Sequence, residues 1–344
     1  MRAWAWWFWG VVAIAIGMAA VLWWRVDAAV LEPSGRYGIG TRTVVLTSPR
    51  TGRSIPVAFA YPAADTPAGH VIPRAAPIQP RKHPLVVFAP DVGSSTSLYR
   101  SLAYELASNG FVVAAVGIPG IERFSRFPNR VVGWDDAGRA AAAAREESGW
   151  SRAVSDERYR AAARIAADDI TLTLDEINAQ AHDRLDPLFI SVRVGDVAFA
   201  GHGLGGTAAL LACRDDSRCD AAATIDGPPI DGTPFAKPLL AVATGDDPKG
   251  LDPLVAQATG QTYGAVIDES ALLDVSDVAR ILPKSFLPSG SIARPALGTR
   301  SARDLLLAFF MRHLMQFPVP MLDKPDVLDG VTLTSREPLA TSER

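Results

Sequence analysis

Asp196-Val-Ala-Phe-Ala-Gly-His-Gly-Leu-Gly-Gly-Thr-Ala-Ala-Leu-Leu-Ala-Cys213 is the stretch on which the fold turns. Asp196–Ala200 is a short apolar run, long enough for one buried strand. Leu204–Cys213 is a run of small and aliphatic residues, suited to a helix packed closely on that strand. Between them lies Gly201-His202-Gly203-Leu204-Gly205-Gly206, a tight strand-to-helix turn. The spacing is that of Gly-x-Ser-x-Gly, the nucleophile elbow that lifts a serine hydroxyl above a sheet. Here the serine position holds Gly203. The elbow residue has a strained backbone that glycine adopts freely. Gly203 therefore keeps the turn and drops the nucleophile.

Outward from this turn the chain alternates strands and helices. Thr41–Thr47 and Ile55–Tyr61 read as a hairpin. Pro62–Pro84 carries six prolines and reads as an exposed loop. Pro84–Ala89 and Phe111–Val116 are continuous apolar runs, as in strands buried on both faces. Leu98–Asn109 is a helix stopped by Gly110. Residues 117–160 break the alternation and read as an insertion over the carboxyl edge of the sheet. A helix follows with Ile170, Leu174 and Ile177 on one face. Strands at Ala221–Ile225, Pro238–Thr244 and Tyr263–Ile267 precede a closing helix at Arg303–Phe317. The expected fold class is α/β, a doubly wound, mostly parallel sheet. The divisions expected are a linker at 26–40, one domain at 41–320 and a tail at 321–344.

Ala3–Trp24 holds 22 residues without a charge, between Arg2 and Arg25. A helix of that length spans about 33 Å, enough for the hydrocarbon core. Trp4, Trp6, Trp7 and Trp9 near one end and Trp23 and Trp24 at the other form interfacial belts. The expectation is a single-pass anchor within residues 1–25, contacting the membrane through 3–24. The alternative is a signal peptide cleaved near Val26–Ala29, giving a secreted protein; the run is long for a signal peptide. Cys213 and Cys219, with five residues between them, read as a disulfide of an oxidising, extracytoplasmic compartment or as two buried thiols. With 48% hydrophobic and 21% charged residues and a net charge of −3, the chain is globular and gives no reason to expect nucleic-acid binding.

Several local strings occur in a fixed order. They are Pro49-Arg-Thr-Gly-Arg-Ser-Ile-Pro-Val with Tyr61-Pro62, then Pro84-Leu-Val-Val-Phe, then Leu106-Ala-Ser-Asn-Gly-Phe-Val-Val-Ala-Ala-Val. Ala167-Asp-Asp-Ile-Thr-Leu-Thr-Leu-Asp and Cys219-Asp-Ala-Ala-Ala-Thr-Ile-Asp226-Gly follow. Together, from about Thr41 to Phe317, they resemble the plasma-type platelet-activating-factor acetylhydrolase family of the α/β-hydrolase fold. The resemblance maps the nucleophile to Gly203, the acid to Asp226 and the histidine to the neighbourhood of Leu272. It implies an oxyanion site made by the N–H groups of Val92 and Leu204. It also places Asp91 where the family tends to have His-Gly, so that a carboxylate would oppose the developing negative charge.

Serine, histidine and oxyanion loop all depart together, whereas a trapped variant would keep its histidine. Losing nucleophile and base removes nearly all triad chemistry. His313 reads as a helix-packing residue and His202 as a structural residue below the turn. Asp226 reads either as a remnant acid or as a turn carboxylate. Asp246 and Asp247, at the more usual acid position of the fold, read as solvated loop residues. His70, His83 and His182 read as loop residues without metal-ligand spacing, so no metal or cofactor is expected. The expected function is a membrane-tethered, catalytically inactive hydrolase fold binding a lipid-like ligand or a protein partner. One alternative is an active carboxylic-ester or lipid hydrolase using Ser94, Ser95 or Thr96, which otherwise read as the start of a helix. The other is a structural envelope protein.

Overall fold

A computed structural model describes residues 29–230, 234–287, 289–290, 292–324 and 328–338. The apolar run 3–24 lies outside them. No helix among the described residues is long and apolar enough to cross a membrane.

The strands are β1 Gly38–Thr47, β2 Ser54–Ala63, β3 Val71–Pro73, β4 His83–Ala89, β5 Val112–Val116, β6 Phe124–Arg126, β7 Val131–Gly133, β8 Val192–His202, β9 Ala221–Ile225, β10 Leu239–Thr244, β11 Thr262–Ile267 and β12 Val331–Arg336. The helices of nine or more residues are α1 Arg100–Ser108, α2 Asp136–Ser148, α3 Glu157–Asp183, α4 Leu204–Asp215 and α5 Pro295–Met315. The main sheet has the order β12-β11-β10-β9-β8-β4-β5-β2-β1-β3. Pairing is parallel from β5 through β4, β8, β9 and β10 to β11. The β1–β2 hairpin joins antiparallel to β5. This is the doubly wound sheet expected from the sequence.

Every residue of β4, β5, β9 and β10 is buried, because helices cover both faces. Leu85 and Val87 face a cluster with Ile170, Leu174 and Ile177 of α3 and Ala208 of α4. Val86 and Phe88 face the other way, against Leu102 and Leu106 of α1 and Phe309 and Phe310 of α5. The period of two along the strand divides the core into these halves.

Other segments differ from their sequence reading. The proline-rich loop contains β3, which pairs parallel with β1. His83 opens β4 and is buried, its Nδ1 2.9 Å from the Gly110 carbonyl oxygen, and His182 lies in the last turn of α3. The expected tail returns as β12, antiparallel to β11 from Ile267↔Val331 to Thr262↔Arg336. Its Val-Thr-Leu-Thr alternation buries Val331 and Leu333 and exposes the two threonines, the pattern of a strand with one wet face. The expected linker is clamped to α1 from Leu31 onward. Leu31 N–H donates to the Ser101 hydroxyl (2.9 Å), Ser34 N–H to Glu105 (2.9 Å) and Gly35 N–H to the Ser108 hydroxyl (3.1 Å). Cys213 and Cys219 form a disulfide with Cα atoms 5.2 Å apart, tying the end of α4 to the turn before β9.

Candidate functional site

The elbow forms where the sequence places it. β8 ends at His202, α4 starts at Leu204, and Gly203 between them has φ +51° and ψ −121°. Its N–H donates to the Ile225 carbonyl oxygen on β9 (2.8 Å). Gly205 lets the helix press on the neighbouring strand, since a Cβ there would lie 2.2 Å from the Ala89 carbonyl oxygen.

The space beside Gly203 is taken. A Cβ on Gly203 would lie 2.1 Å from Asp91 Oδ1 and 2.4 Å from its Cγ. Asp91 follows β4 through Pro90 and is 3% exposed. Its Oδ1 accepts from the N–H of Val92 (2.7 Å) and from the N–H of Leu204 (3.0 Å). These are the two donors that the resemblance assigns to the oxyanion site, and they do converge. Asp91 does not merely border that site, as the sequence suggested; its own carboxylate sits in it. The place that a transition-state oxyanion would take at such donors is filled by a side chain of the protein itself.

Asp91 Oδ2 pairs with Arg145. Arg145 lies in the last turn of α2, so the insertion contributes a cation to the elbow. The Asp91 charge, acting against desolvation, raises the Arg145 pKa and keeps the guanidinium charged. Sequence reasoning missed this residue. Its setting in Ala140–Glu147 (AAAAAREE) is that of any surface helix, and the contact spans 54 positions.

Below the turn His202 is fully buried, as its structural reading requires. Its Nδ1 is 2.8 Å from the Tyr99 hydroxyl, which accepts from the Asp91 N–H at 3.4 Å. Burial, then the Asp91 charge, raises the Tyr99 pKa, so the phenol stays protonated. His202 Nε2 is 3.7 Å from Asp226 Oδ2, too long for a hydrogen bond.

Asp226 is fully buried with φ +50°. Its Oδ1 accepts from Thr244 N–H (2.8 Å) and its Oδ2 from the Thr244 hydroxyl (3.0 Å). It therefore clasps the end of β10. The carboxylate at the expected histidine position is another one: Leu272 N–H donates to Asp246 Oδ2 at 2.9 Å. Asp246 is exposed, and two contacts hold the loop after β10: this one and that of Asp247, which accepts from the Ser151 hydroxyl.

The alternative nucleophiles are held in local contacts. The Ser94 hydroxyl bonds to Tyr99, and the Ser95 hydroxyl accepts from Ser97 at 3.3 Å. Thr96 N–H donates to Glu122 Oε1 (3.1 Å), opening a 3-10 turn at Thr96–Tyr99. His313 sits far along α5, its ring 4.7 Å from that of Phe309 and 5.8 Å from that of Tyr263. Burial lowers its pKa to about 4. No group of His, Cys, Asp and Glu among the described residues is arranged to hold a metal ion.

Comparison with known proteins places this geometry. Residues 33–118 match the family model described as platelet-activating factor acetylhydrolase, isoform II. The match covers β1 to β5 and ends before the elbow. A ferulic acid esterase from Streptomyces cinnamoneus superposes with a TM-score of 0.71 at 24% identity, over 89% of this chain and 98% of that one. The chain thus has an α/β-hydrolase fold and is similar to the platelet-activating-factor acetylhydrolases over its first strands. No curated protein matches.

Proposed function

We propose that the chain is a membrane-anchored protein of α/β-hydrolase fold that has ceased triad chemistry and binds a lipid-like ligand or a protein partner. The observation that carries this reading is the Asp91 carboxylate, held by Val92 N–H, Leu204 N–H and Arg145 in the space of the nucleophile. Three further features support it: Gly203 has no side chain to react, Leu272 stands at the histidine position, and the surrounding polar groups are buried. The Cys213–Cys219 disulfide supports an extracytoplasmic domain, since such bonds persist in oxidising compartments.

Hydrolysis of p-nitrophenyl acetate by the full chain tests it, with a rate equal to that of buffer expected. The likeness to a solved esterase favours one other reading, an ester hydrolase that uses other groups. Turnover abolished by Ser94→Ala, Ser95→Ala or His313→Ala would establish that reading and overturn ours.

A further inference from the structure

A cavity of about 460 Å³ lies on the α1 side of the sheet, and neither Gly203, Asp91 nor Asp226 lines it. Strands β1, β2 and β5 form its floor, α1 one wall, and the segments after β3 and around β6 its rim. We propose that this cavity binds a small amphiphilic anion, a carboxylate or phosphate head carried on a short apolar body. At ~30 Å³ per water-sized group its volume corresponds to roughly 15 non-hydrogen atoms, the size of a single-chain ester or acid and not of a two-chain lipid. The assignment deepens the ligand-binding reading above and places the ligand away from the elbow.

The charge of the lining argues for an anion. Arg42, Arg74, Arg100 and Arg126 line the cavity against one carboxyl, Glu122, in a chain whose net charge is −3. Arg42 is held by Asp186. Arg74 and Arg126 are exposed, come from two different segments, and make no side-chain hydrogen bond or ion pair with the described residues. Guanidinium forks match carboxylate and phosphate oxygens, and two from separate segments can converge on one head group. Glu122 opposes them weakly. It is 2% exposed, accepts from Thr96 N–H and the Ser125 hydroxyl (2.7 Å), and burial raises its pKa to about 7. An apolar surface completes the site. Phe59, Pro56 and Ala58 line the interior, and Phe124 lines it while 55% exposed. Apolar walls with a few convergent polar groups are the usual make-up of a ligand pocket of this size.

Calorimetric titration of the full chain in nanodiscs of neutral lipid, with empty nanodiscs as reference, tests the site. The probes are octyl phosphate, octanoate, octanol and inorganic phosphate. At least one of the two anionic amphiphiles should bind tenfold or more tightly than octanol and than inorganic phosphate. Which of the two binds better separates a phosphate ester from a fatty acid as the source. The Arg74→Gln/Arg126→Gln variant changes two exposed side chains that are unpaired among the described residues, and it should keep its melting temperature. It should lose at least tenfold in affinity for the anionic probes and none for octanol. Equal binding of octyl phosphate, octanoate and octanol, no binding of either anion, or unchanged affinity in the double variant would each overturn the proposal. The p-nitrophenyl acetate assay on the same sample is independent of these outcomes. Turnover there would overturn the silent-hydrolase reading and leave the cavity assignment standing.

Discussion

Asp91 is buried and Arg145, whose side chain is 20% exposed, pairs with it at the elbow. Removing one partner of a fully buried pair costs about 3–5 kcal/mol. Asp91→Ala leaves a guanidinium that water can partly reach, so it should destabilise the protein by somewhat less, on the order of 2–3 kcal/mol in urea unfolding. Arg145→Met should cost less, because the carboxylate keeps the Val92 and Leu204 donors. The double variant should recover part of the Asp91→Ala loss, with a coupling of about 1–3 kcal/mol. Additive losses would show that the two side chains do not act together. The same carboxylate decides what Gly203→Ser can do. The serine Cβ would collide with Asp91 Oδ1, and an unassisted hydroxyl is a poor nucleophile. Gly203→Ser alone should leave p-nitrophenyl acetate hydrolysis at the buffer rate. Combining it with Asp91→Gly, Arg145→Met and Leu272→His frees the oxyanion donors and sets an imidazole beside Asp246. This variant should exceed Gly203→Ser by about tenfold or more, since triad groups act as a unit. Equal rates for Gly203→Ser and the combined variant would remove Asp91 as the obstacle. The local motif made Gly203 and Leu204 legible as an elbow, and the family resemblance, not any local spacing, joined Asp91 and Val92 to them across 113 positions. The sequence left unreadable which way the Asp91 side chain turns, because that depends on Arg145, 54 positions away. The Asp246–Leu272 contact, across 26 positions, was hidden for the same reason.

The secondary-structure elements were more legible than the contacts between them. β4, β5, β9 and β10 announce themselves as uninterrupted apolar runs, and α3 by its Ile170–Leu174–Ile177 stripe. β12 was missed because its six residues, alternating and half exposed, carry little signal outside the sheet they join. At the end of α4 the Cys213–Cys219 bond closes a loop of five intervening residues. Loop closure of that size contributes roughly 2 kcal/mol through the unfolded chain. Cys213→Ala/Cys219→Ala should lose about that much in urea unfolding, with the helix content unchanged by circular dichroism. A loss near zero would mean that the bond does not persist in the native protein. The segment between β5 and β6 carries a pH signature through Glu122, whose folded pKa, raised by burial, lies near 7. A carboxyl with a raised folded pKa contributes stability that is fully present below its unfolded value. That contribution is lost as pH rises through the folded value. The native state should thus weaken from about pH 4.5 to about pH 7 by an amount on the order of 3 kcal/mol. Glu122→Gln should flatten this part of the profile of unfolding free energy against pH. An unaltered slope would assign the titration elsewhere.

At the scale of the whole molecule, the clamp on residues 31–35 would restrict how the domain sits on a membrane if the anchored reading proposed above holds. Arg280 Nε donates to the Ala29 carbonyl oxygen (2.6 Å), and Arg303 donates to that of Glu32 (2.9 Å). With the backbone bonds to Ser101, Glu105 and Ser108, these contacts hold the chain to the short helix Val278–Ile281, to α1 and to α5 from its first described residue. Only residues 25–28 separate Ala29 from the apolar run ending at Trp24. Five Cα steps at ~3.3–3.6 Å reach about 18 Å at most. On the anchored reading proposed above, the face around Ala29, Ser101 and Arg280 must therefore lie within that distance of the bilayer surface. On that reading we expect the domain to turn this face toward the bilayer. Phe286 is 74% exposed and lies six residues beyond Arg280 along the chain. Leu185, 86% exposed, follows α3 on the opposite side of the sheet. Both native cysteines are bonded, so a single introduced cysteine can be labelled with an environment-sensitive fluorophore. In full-length protein reconstituted in liposomes, a label at Phe286→Cys should be blue-shifted and quenched by lipid-borne nitroxides, and a label at Leu185→Cys should show neither effect. Equal responses would mean that the clamp does not orient the domain. Protein recovered free of membranes with its N-terminus near Ala28–Val30 would mean instead that the apolar segment is removed, and with it the anchor.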